Sequence, residues 1–203
     1  MISNNQFTFL KKFSTKVNIK YIYIFLIFFV MVLTRGSHVT SIYSLADASL
    51  ALFLIGGIYF KKIRFFIMFF LIALFIDFGV AALDPKLGFC LTNGYWGLIP
   101  SYAALWISGY FLNRYNLIQK LSIFIPIASF AIVLSFIIST QSYYIFSGRF
   151  GSPSLSESIL HGWEYLPQYF LSSFTYIGLF WLAQHFIFNN KILNYYKNFN
   201  LYK

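Results

Sequence analysis

The chain of 203 residues is 59% hydrophobic and only 10% charged, and its formal net charge is +10. Soluble domains carry about 25% charged residues, and a chain with this composition has too few polar side chains to cover an apolar core in water. A soluble fold is therefore disfavoured, and a membrane protein of one domain is indicated. The single cysteine, Cys90, excludes an internal disulfide and any site built from several cysteines.

Six apolar segments predict an all-α, polytopic integral membrane protein with six transmembrane helices. A helix needs about 20 residues to cross a hydrocarbon core of about 30 Å, because each residue rises about 1.5 Å. The predicted spans are residues 18–34, 44–60, 64–83, 95–113, 121–139 and 166–187. No small-x-small cleavage site follows the first apolar run, which favours an uncleaved span over a signal peptide. The six-helix membrane domain, 18–187, then lies between basic terminal segments at 1–17 and 188–203.

The basic residues separate into two groups once the spans are assigned. Twelve lie at the ends on one side: Lys11, Lys12, Lys16, Lys20, Lys61, Lys62, Arg64, Arg114, Lys120, Lys191, Lys197 and Lys203. The other three, Arg35, Lys86 and Arg149, lie on the opposite side. The positive-inside rule places the larger group in the cytoplasm, so both termini are predicted to be cytoplasmic. In this interpretation the cations determine topology and contact lipid headgroups, and no nucleic-acid partner is expected.

With this topology all five acidic residues lie at or near the outer face: Asp47, Asp77, Asp84, Glu157 and Glu164. Asp77 would lie about 9 Å inside the outer boundary, at about 1.5 Å per residue. Two interpretations stay open for it: a ligand or proton site accessible from outside, or a carboxylate hydrogen-bonded between packed helices. Two interpretations also stay open for Asp47. It is either a ligand-binding residue or part of a capping box, because Ser44-Leu45-Ala46-Asp47 matches that pattern at a helix start.

The connection at residues 84–97 contains further candidate residues. It includes Cys90, which is either a small apolar side chain or a ligand-contacting thiol, and a predicted tight turn at Asn93-Gly94. Tyr95 and Trp96 follow that turn and fit either an interfacial aromatic belt or a surface on which a ligand stacks.

The longest connection, residues 140–165, predicts a short outer helix. Ser154 and Glu157 form the Ser-x-x-Glu pattern of a capping box, and Leu155, Ile159 and Trp163 then recur every four residues. This amphipathic pattern indicates either a helix that folds over the bundle as part of a lid or a helix that rests among the headgroups.

Catalytic motifs are not found in the sequence. It contains no H-E-x-x-H, G-x-S-x-G or P-loop pattern, so no catalytic residue is predicted. His38, His161, Cys90 and Asp47 could meet at the outer face, but their spacing does not specify a metal site, and neither a metal nor a cofactor is predicted.

Several short motifs in chain order resemble a family of small proteobacterial membrane proteins that are predicted components of a cobalamin transporter. The motifs are Leu45-Ala46-Asp47-Ala48-Ser49 with Phe53-Leu54-Ile55-Gly56-Gly57, Asp77, Cys90-Leu91-Thr92-Asn93-Gly94-Tyr95, Ile99-Pro100-Ser101-Tyr102 with Leu105-Trp106, Ser142-Tyr143-Tyr144 with Ser147-Gly148-Arg149, and Tyr165-Leu166-Pro167-Gln168-Tyr169. That family is similar to the substrate-binding S components of energy-coupling-factor transporters, which are compact six-helix proteins.

The resemblance implies an inner-membrane protein that captures cobalamin or a related corrinoid at its outer face, with an energising ATPase module as a candidate partner. The candidate substrate-binding residues are Asp47, Asp77, Cys90, Tyr95, Tyr102, Tyr143, Tyr144, Arg149 and Tyr169. The two aspartates would form a polar floor and the tyrosines the walls, because a corrinoid pairs broad apolar faces with amide edges. A membrane-embedded enzyme and an assembly or scaffold protein are the alternative functions.

Overall fold

The computed structural model describes residues 19–35, 47–151 and 153–189. All regular secondary structure in these ranges is helical, which confirms the predicted all-α class. The α-helices are α1 (Ile19–Arg35), α2 (Ser49–Phe60), α3 (Ile63–Leu83), α4 (Leu98–Arg114), α5 (Leu121–Phe146), the short α6 (Leu155–Ile159) and α7 (Leu166–Asn189). Three 3₁₀ segments lie between them, at Pro85–Cys90, Asn93–Gly97 and Trp163–Tyr165.

Helix α2 is the centre of the bundle. Its sequence, SLALFLIGGIYF, is apolar on every side, and every residue except Tyr59 is buried. A helix without a polar face is stable only when it is surrounded. The other five long helices all contact α2 and enclose it.

Glycines allow α2 and α4 to cross at very close range. A methyl group added at Gly57 would collide with the backbone of Trp106, and one added at Gly109 would collide with the backbone carbonyl of Leu54. Small residues of this kind permit backbones to touch, which maximises van der Waals contact in helix pairs that lack a polar interface. The second half of α4 is thereby fixed against the second half of α2.

Length and composition distinguish the helices from one another. Helices α3 and α5 are each long and apolar enough to cross a bilayer. The 12 residues of α2 rise about 18 Å, which is shorter than a hydrocarbon core of about 30 Å. Two helices that could cross a membrane are therefore present in the described part of the chain, and six spans remain a prediction.

Several predicted boundaries need correction. Helix α5 continues to Phe146, so residues 140–146, predicted to open the long outer connection, are helical. Helix α4 begins at Leu98, because residues 93–97 form a 3₁₀ turn and not the first turn of a span. Helix α2 begins at Ser49, and the Ser44 of the predicted capping box lies outside the described residues.

Candidate functional site

The antiparallel course of the helices collects every acidic residue of the chain at one end of the bundle. Asp47 precedes α2, Asp77 lies near the end of α3, Asp84 follows α3, and Glu157 and Glu164 lie between α5 and α7. We call this the acidic end. The opposite end, which we call the basic end, carries five exposed cations among the described residues: Lys61, Lys62, Arg64, Arg114 and Lys120. The predicted separation of acids from most of the cations is thus present in the fold.

Arg35, the last residue of α1, is the hub of a polar cluster at the acidic end. Its guanidinium forms a fork with Asp77 of α3, in which Nε donates to Oδ1 and Nη2 donates to Oδ2, both at 2.6 Å. The exposed fraction of the side chain is 10% for Arg35 and 19% for Asp77. Bidentate pairing of this kind is the strongest geometry available to an arginine and a carboxylate.

The remaining guanidinium nitrogen connects α1 to α2 and α4. Nη1 of Arg35 donates to Ser49 Oγ at 2.7 Å and to the hydroxyl of Tyr102 at 2.8 Å, and it lies 3.4 Å from Asp47 Oδ2. Asp47 in turn accepts from the backbone N–H of Ser49 at 2.9 Å and from the Ser49 hydroxyl at 2.6 Å. The Asp47 side chain therefore precedes α2 and bonds forward into its first turn.

Two tyrosines complete this Arg35 cluster. The hydroxyl of Tyr95 donates to Asp77 Oδ2 at 2.9 Å, and Tyr95 is 7% exposed. Tyr102 is 3% exposed, and its ring stacks on Phe53 of α2 with 4.1 Å between the ring centroids. Both rings are buried, so both hydroxyls are held in position beside the ion pair.

The Arg35 cluster shows how a carboxylate is accommodated in the apolar segment around Asp77. Both oxygens of Asp77 accept hydrogen bonds, and a cation lies in contact with it, so the cost of burying the charge is offset. The structure shows the Asp77 carboxylate hydrogen-bonded between packed helices, and its use as a ligand or proton site stays a prediction. Arg35, expected from its position only to determine membrane topology, is also the residue that joins these helices.

A second group of aromatic residues at the acidic end is open to solvent. Tyr144, near the end of α5, lies between Phe150 and His161, with ring centroids at 4.4 Å and 5.5 Å. Tyr143 contacts the edge of Phe150 at 5.8 Å. Tyr144, Phe150, Pro153, Glu157 and His161 line an open cavity of about 530 Å³. We call this cavity, with its five lining residues, the Tyr144 cavity.

The predicted capping box at the start of α6 is present and orients the carboxylate beside this cavity. Ser154 Oγ accepts from the backbone N–H of Glu157 at 3.3 Å, while Glu157 Oε2 accepts from the Ser154 backbone N–H at 2.8 Å and from its hydroxyl at 2.9 Å. These hydrogen bonds to the charged form, together with the nearby His161, lower the pKa of Glu157.

The nine candidate residues fall into several places in the structure. Asp47, Asp77, Tyr95 and Tyr102 belong to the Arg35 cluster. Tyr144 lines the Tyr144 cavity, and Tyr143 packs against the rings of Tyr144 and Phe150. Tyr169 of α7 packs on Phe136 of α5 with ring centroids 5.7 Å apart. Arg149 is exposed beside Phe150. The side chain of Cys90 lies outside the described residues, as does His38.

The two groups are neighbours through the 3₁₀ segment that carries Tyr95. A Cβ added at Gly94 would lie 2.8 Å from the Cα of Tyr143, so this segment packs directly on the end of α5. The backbone of residues 93–97 therefore separates the Arg35 cluster from the aromatic residues of the Tyr144 cavity. Among the side chains that the structure describes, no group of three or more His, Cys, Asp or Glu residues is positioned to hold a metal ion.

Known families and curated proteins give no guide to the site, which is therefore interpreted from its chemistry. No family model matches the chain, and no curated protein matches it. The arrangement can stabilise a helical bundle through the Arg35 cluster and can bind a ligand with apolar faces at the Tyr144 cavity.

Proposed function

We propose that this chain is a six-span protein of the bacterial inner membrane and the substrate-binding component of an uptake system for cobalamin or a related corrinoid. The acidic end faces outwards and receives the ligand. The basic end faces the cytoplasm, where an energising ATPase module is the candidate partner. No residue of the chain performs covalent chemistry in this proposal.

Exposed apolar side chains support membrane embedding. Phe75 on α3 is 71% exposed, Phe130 on α5 is 67% exposed and Leu171 on α7 is 71% exposed. Large apolar side chains spread over several helices fit hydrocarbon better than water. Most of the described cations lie at the end of the bundle opposite the acids, which agrees with the positive-inside rule.

The observation that carries the functional part of the proposal is the Tyr144 cavity. Its wall is aromatic, and its lining residues supply three polar side-chain groups: the carboxylate of Glu157, the imidazole of His161 and the hydroxyl of Tyr144. Binding sites for large organic ligands combine apolar walls with a few oriented polar groups in this way. The cavity is open on one side, so a corrinoid can place one face against the aromatic rings while its remainder extends outwards.

The loop beside the cavity can adapt to a ligand of this size. Gly148 and Gly151 flank Arg149 and Phe150, and both glycines have positive φ, 71° and 74°. Positive φ is readily adopted by glycine alone, so this loop depends on those two residues for its course. Arg149, exposed at the rim, is available for the phosphate or the amide edge of a corrinoid.

The Arg35 cluster has a different role in this proposal. Its aspartates already have partners, so they fix α1, α3 and α4 around α2 and do not serve as ligands. This division of roles revises the prediction that Asp47 and Asp77 form the floor of the ligand site.

Uptake of labelled cobalamin by cells that lack the chain tests the proposal. We expect uptake to fall in the deletion strain and to be restored by the wild-type gene but not by Tyr144→Ala. Tyr115→Ala is the matched control, because Tyr115 is exposed and lies at the basic end. Unchanged uptake in the deletion strain would contradict the corrinoid proposal.

A further inference from the structure

We infer that the segment from Leu155 to Trp163 is inserted in the outer leaflet of the bilayer, with its apolar side chains at the boundary between headgroups and acyl chains. The segment comprises α6 and the turn that follows it. The inference rests on the proposed membrane embedding, but it does not depend on the identity of the ligand.

The two faces of this segment have different surroundings. Glu157 and His161 line the Tyr144 cavity, and Ser158 is completely buried. A methyl group added at Gly162 would lie 2.5 Å from the side chain of Thr140 in α5. The polar face therefore lies against the end of α5 and the cavity.

The aliphatic side chains point away from the bundle, whereas the half-exposed ring of Trp163 also packs on Phe136 of α5, with ring centroids 6.2 Å apart. Leu155 is 63% exposed, Ile159 45%, Leu160 76% and Trp163 42%. A lid that closed over the protein would bury these residues, because their transfer from water is the main energy available to such a short helix. Their exposure favours another apolar environment over a lid closed on this face.

A bilayer is the occupant that the structure favours. The segment leads directly into α7, whose Leu171 and Leu179 are 71% and 56% exposed, so the apolar surface continues from one element to the next. Short amphipathic segments bind at the interface with their apolar face buried about 5–10 Å.

Local hydrogen bonds prepare the segment for a poorly hydrated environment. The capping box satisfies backbone donors at the start of α6. The indole N–H of Trp163 donates to the carbonyl of Ile159 at 2.6 Å. Burying the Trp163 ring among acyl chains therefore leaves no indole donor unsatisfied, which is the chief cost of placing tryptophan in hydrocarbon.

Depth-dependent fluorescence quenching in liposomes tests this inference. Trp96→Phe and Trp181→Phe leave Trp163 and the buried Trp106, which is 5% exposed and poorly accessible to quenchers. We expect lipids labelled near the headgroup to quench Trp163 more strongly than lipids labelled near the chain ends, and iodide in the water to quench it little. Strong iodide quenching with no lipid quenching would overturn the inference.

One further variant, which carries two substitutions, distinguishes failure of this inference from failure of the proposed membrane embedding. In the same background, Trp163→Phe with Phe130→Trp places a reporter at the middle of α5, where chain-end labels should quench most. If this reporter is not quenched by lipid, the membrane embedding itself fails. If it is quenched and Trp163 is not, only the inference about Leu155–Trp163 fails.

A charged substitution provides an independent readout. Leu160→Asp should reduce lipid quenching of Trp163, because a carboxylate opposes insertion of the apolar face. Ser156→Asp is the matched control, since Ser156 is exposed and polar already. Equal quenching in both variants would contradict the insertion of the apolar face.

Discussion

The Arg35 cluster and the Tyr144 cavity lie at the same end of the bundle, yet they differ in nearly every physical property. The first is an ion pair of side chains 10% and 19% exposed, in which the guanidinium contacts residues of three other helical regions. The second is an open aromatic surface with one carboxylate and one imidazole. A polar group whose hydrogen bonds are satisfied stabilises a fold, whereas an aromatic surface that is exposed to solvent remains available to a ligand.

Arg35→Ala should have the largest effect on stability. It leaves Asp77 buried without its cation, and breaking a buried pair by removing one partner costs about 3–5 kcal/mol. The free energy of unfolding in detergent, followed by circular dichroism, measures the loss. Arg149→Ala is the control, because this exposed arginine lies at the same end and its removal should change stability by less than about 0.5 kcal/mol. Equal losses would show that Arg35 is not a structural hub.

Tyr95→Phe should have the next largest effect. The substitution keeps the ring but removes the hydroxyl that donates to Asp77 at 2.9 Å. A hydrogen bond to a charged group contributes about 1.5–3 kcal/mol. The same unfolding measurement checks this prediction. Tyr115→Phe is the control, because Tyr115 is an exposed tyrosine at the basic end. The comparison separates loss of the hydrogen bond to Asp77 from a general effect of removing a hydroxyl.

Phe150→Ala should reduce stability less than either change in the Arg35 cluster. Phe150 is 47% exposed and contacts Tyr144 at 4.4 Å and Tyr143 at 5.8 Å, so the loss is that of two solvent-exposed aromatic pairs, on the order of 1 kcal/mol. Corrinoid binding, followed by absorbance of the bound ligand, should fall much more than stability does. A loss of several kcal/mol without an effect on binding would reverse the roles assigned to the two groups.

Acidification should have the smallest and most local effect, at Glu157. Its pKa is lowered in the folded protein by the hydrogen bonds from Ser154. The capping box is therefore at full strength above the ordinary pKa of 4.5 and is lost as pH falls through the lower, folded value. Emission from Trp163 in the reduced-tryptophan background should change in this acid range. Glu157→Gln, which keeps an acceptor but does not titrate, should abolish the change.

Sequence patterns predicted the features that depend on local periodicity. The bounds of α3 and α7 agree with the predicted spans to within a few residues, because long apolar runs bounded by polar residues leave few alternatives. The capping box at Ser154 was predicted for a similar reason, since both partners lie within four residues. The alternation of helix direction also predicted that the acids share one end.

Other features depend on contacts that hydropathy does not record. Helix α5 continues past residue 139, where Ser142 and Tyr143 pack against the 3₁₀ segment at 93–97, although their polarity suggested a loop. The partnership of Arg35 with Asp77 joins residues 42 positions apart. One signal was available: a lone arginine at the end of an apolar helix, on the side that holds all the acids, is expected to pair with one of them.

A double-mutant cycle between Arg35 and Asp77 tests the central claim most directly, namely that these two residues are a structural pair and not a ligand site. The free energy of unfolding is measured for Arg35→Ala, Asp77→Ala and the double variant. We predict a coupling energy on the order of 2–3 kcal/mol, so that the double variant is far more stable than the sum of the single losses implies. Strictly additive losses, with ligand binding abolished by Asp77→Ala alone, would contradict the account.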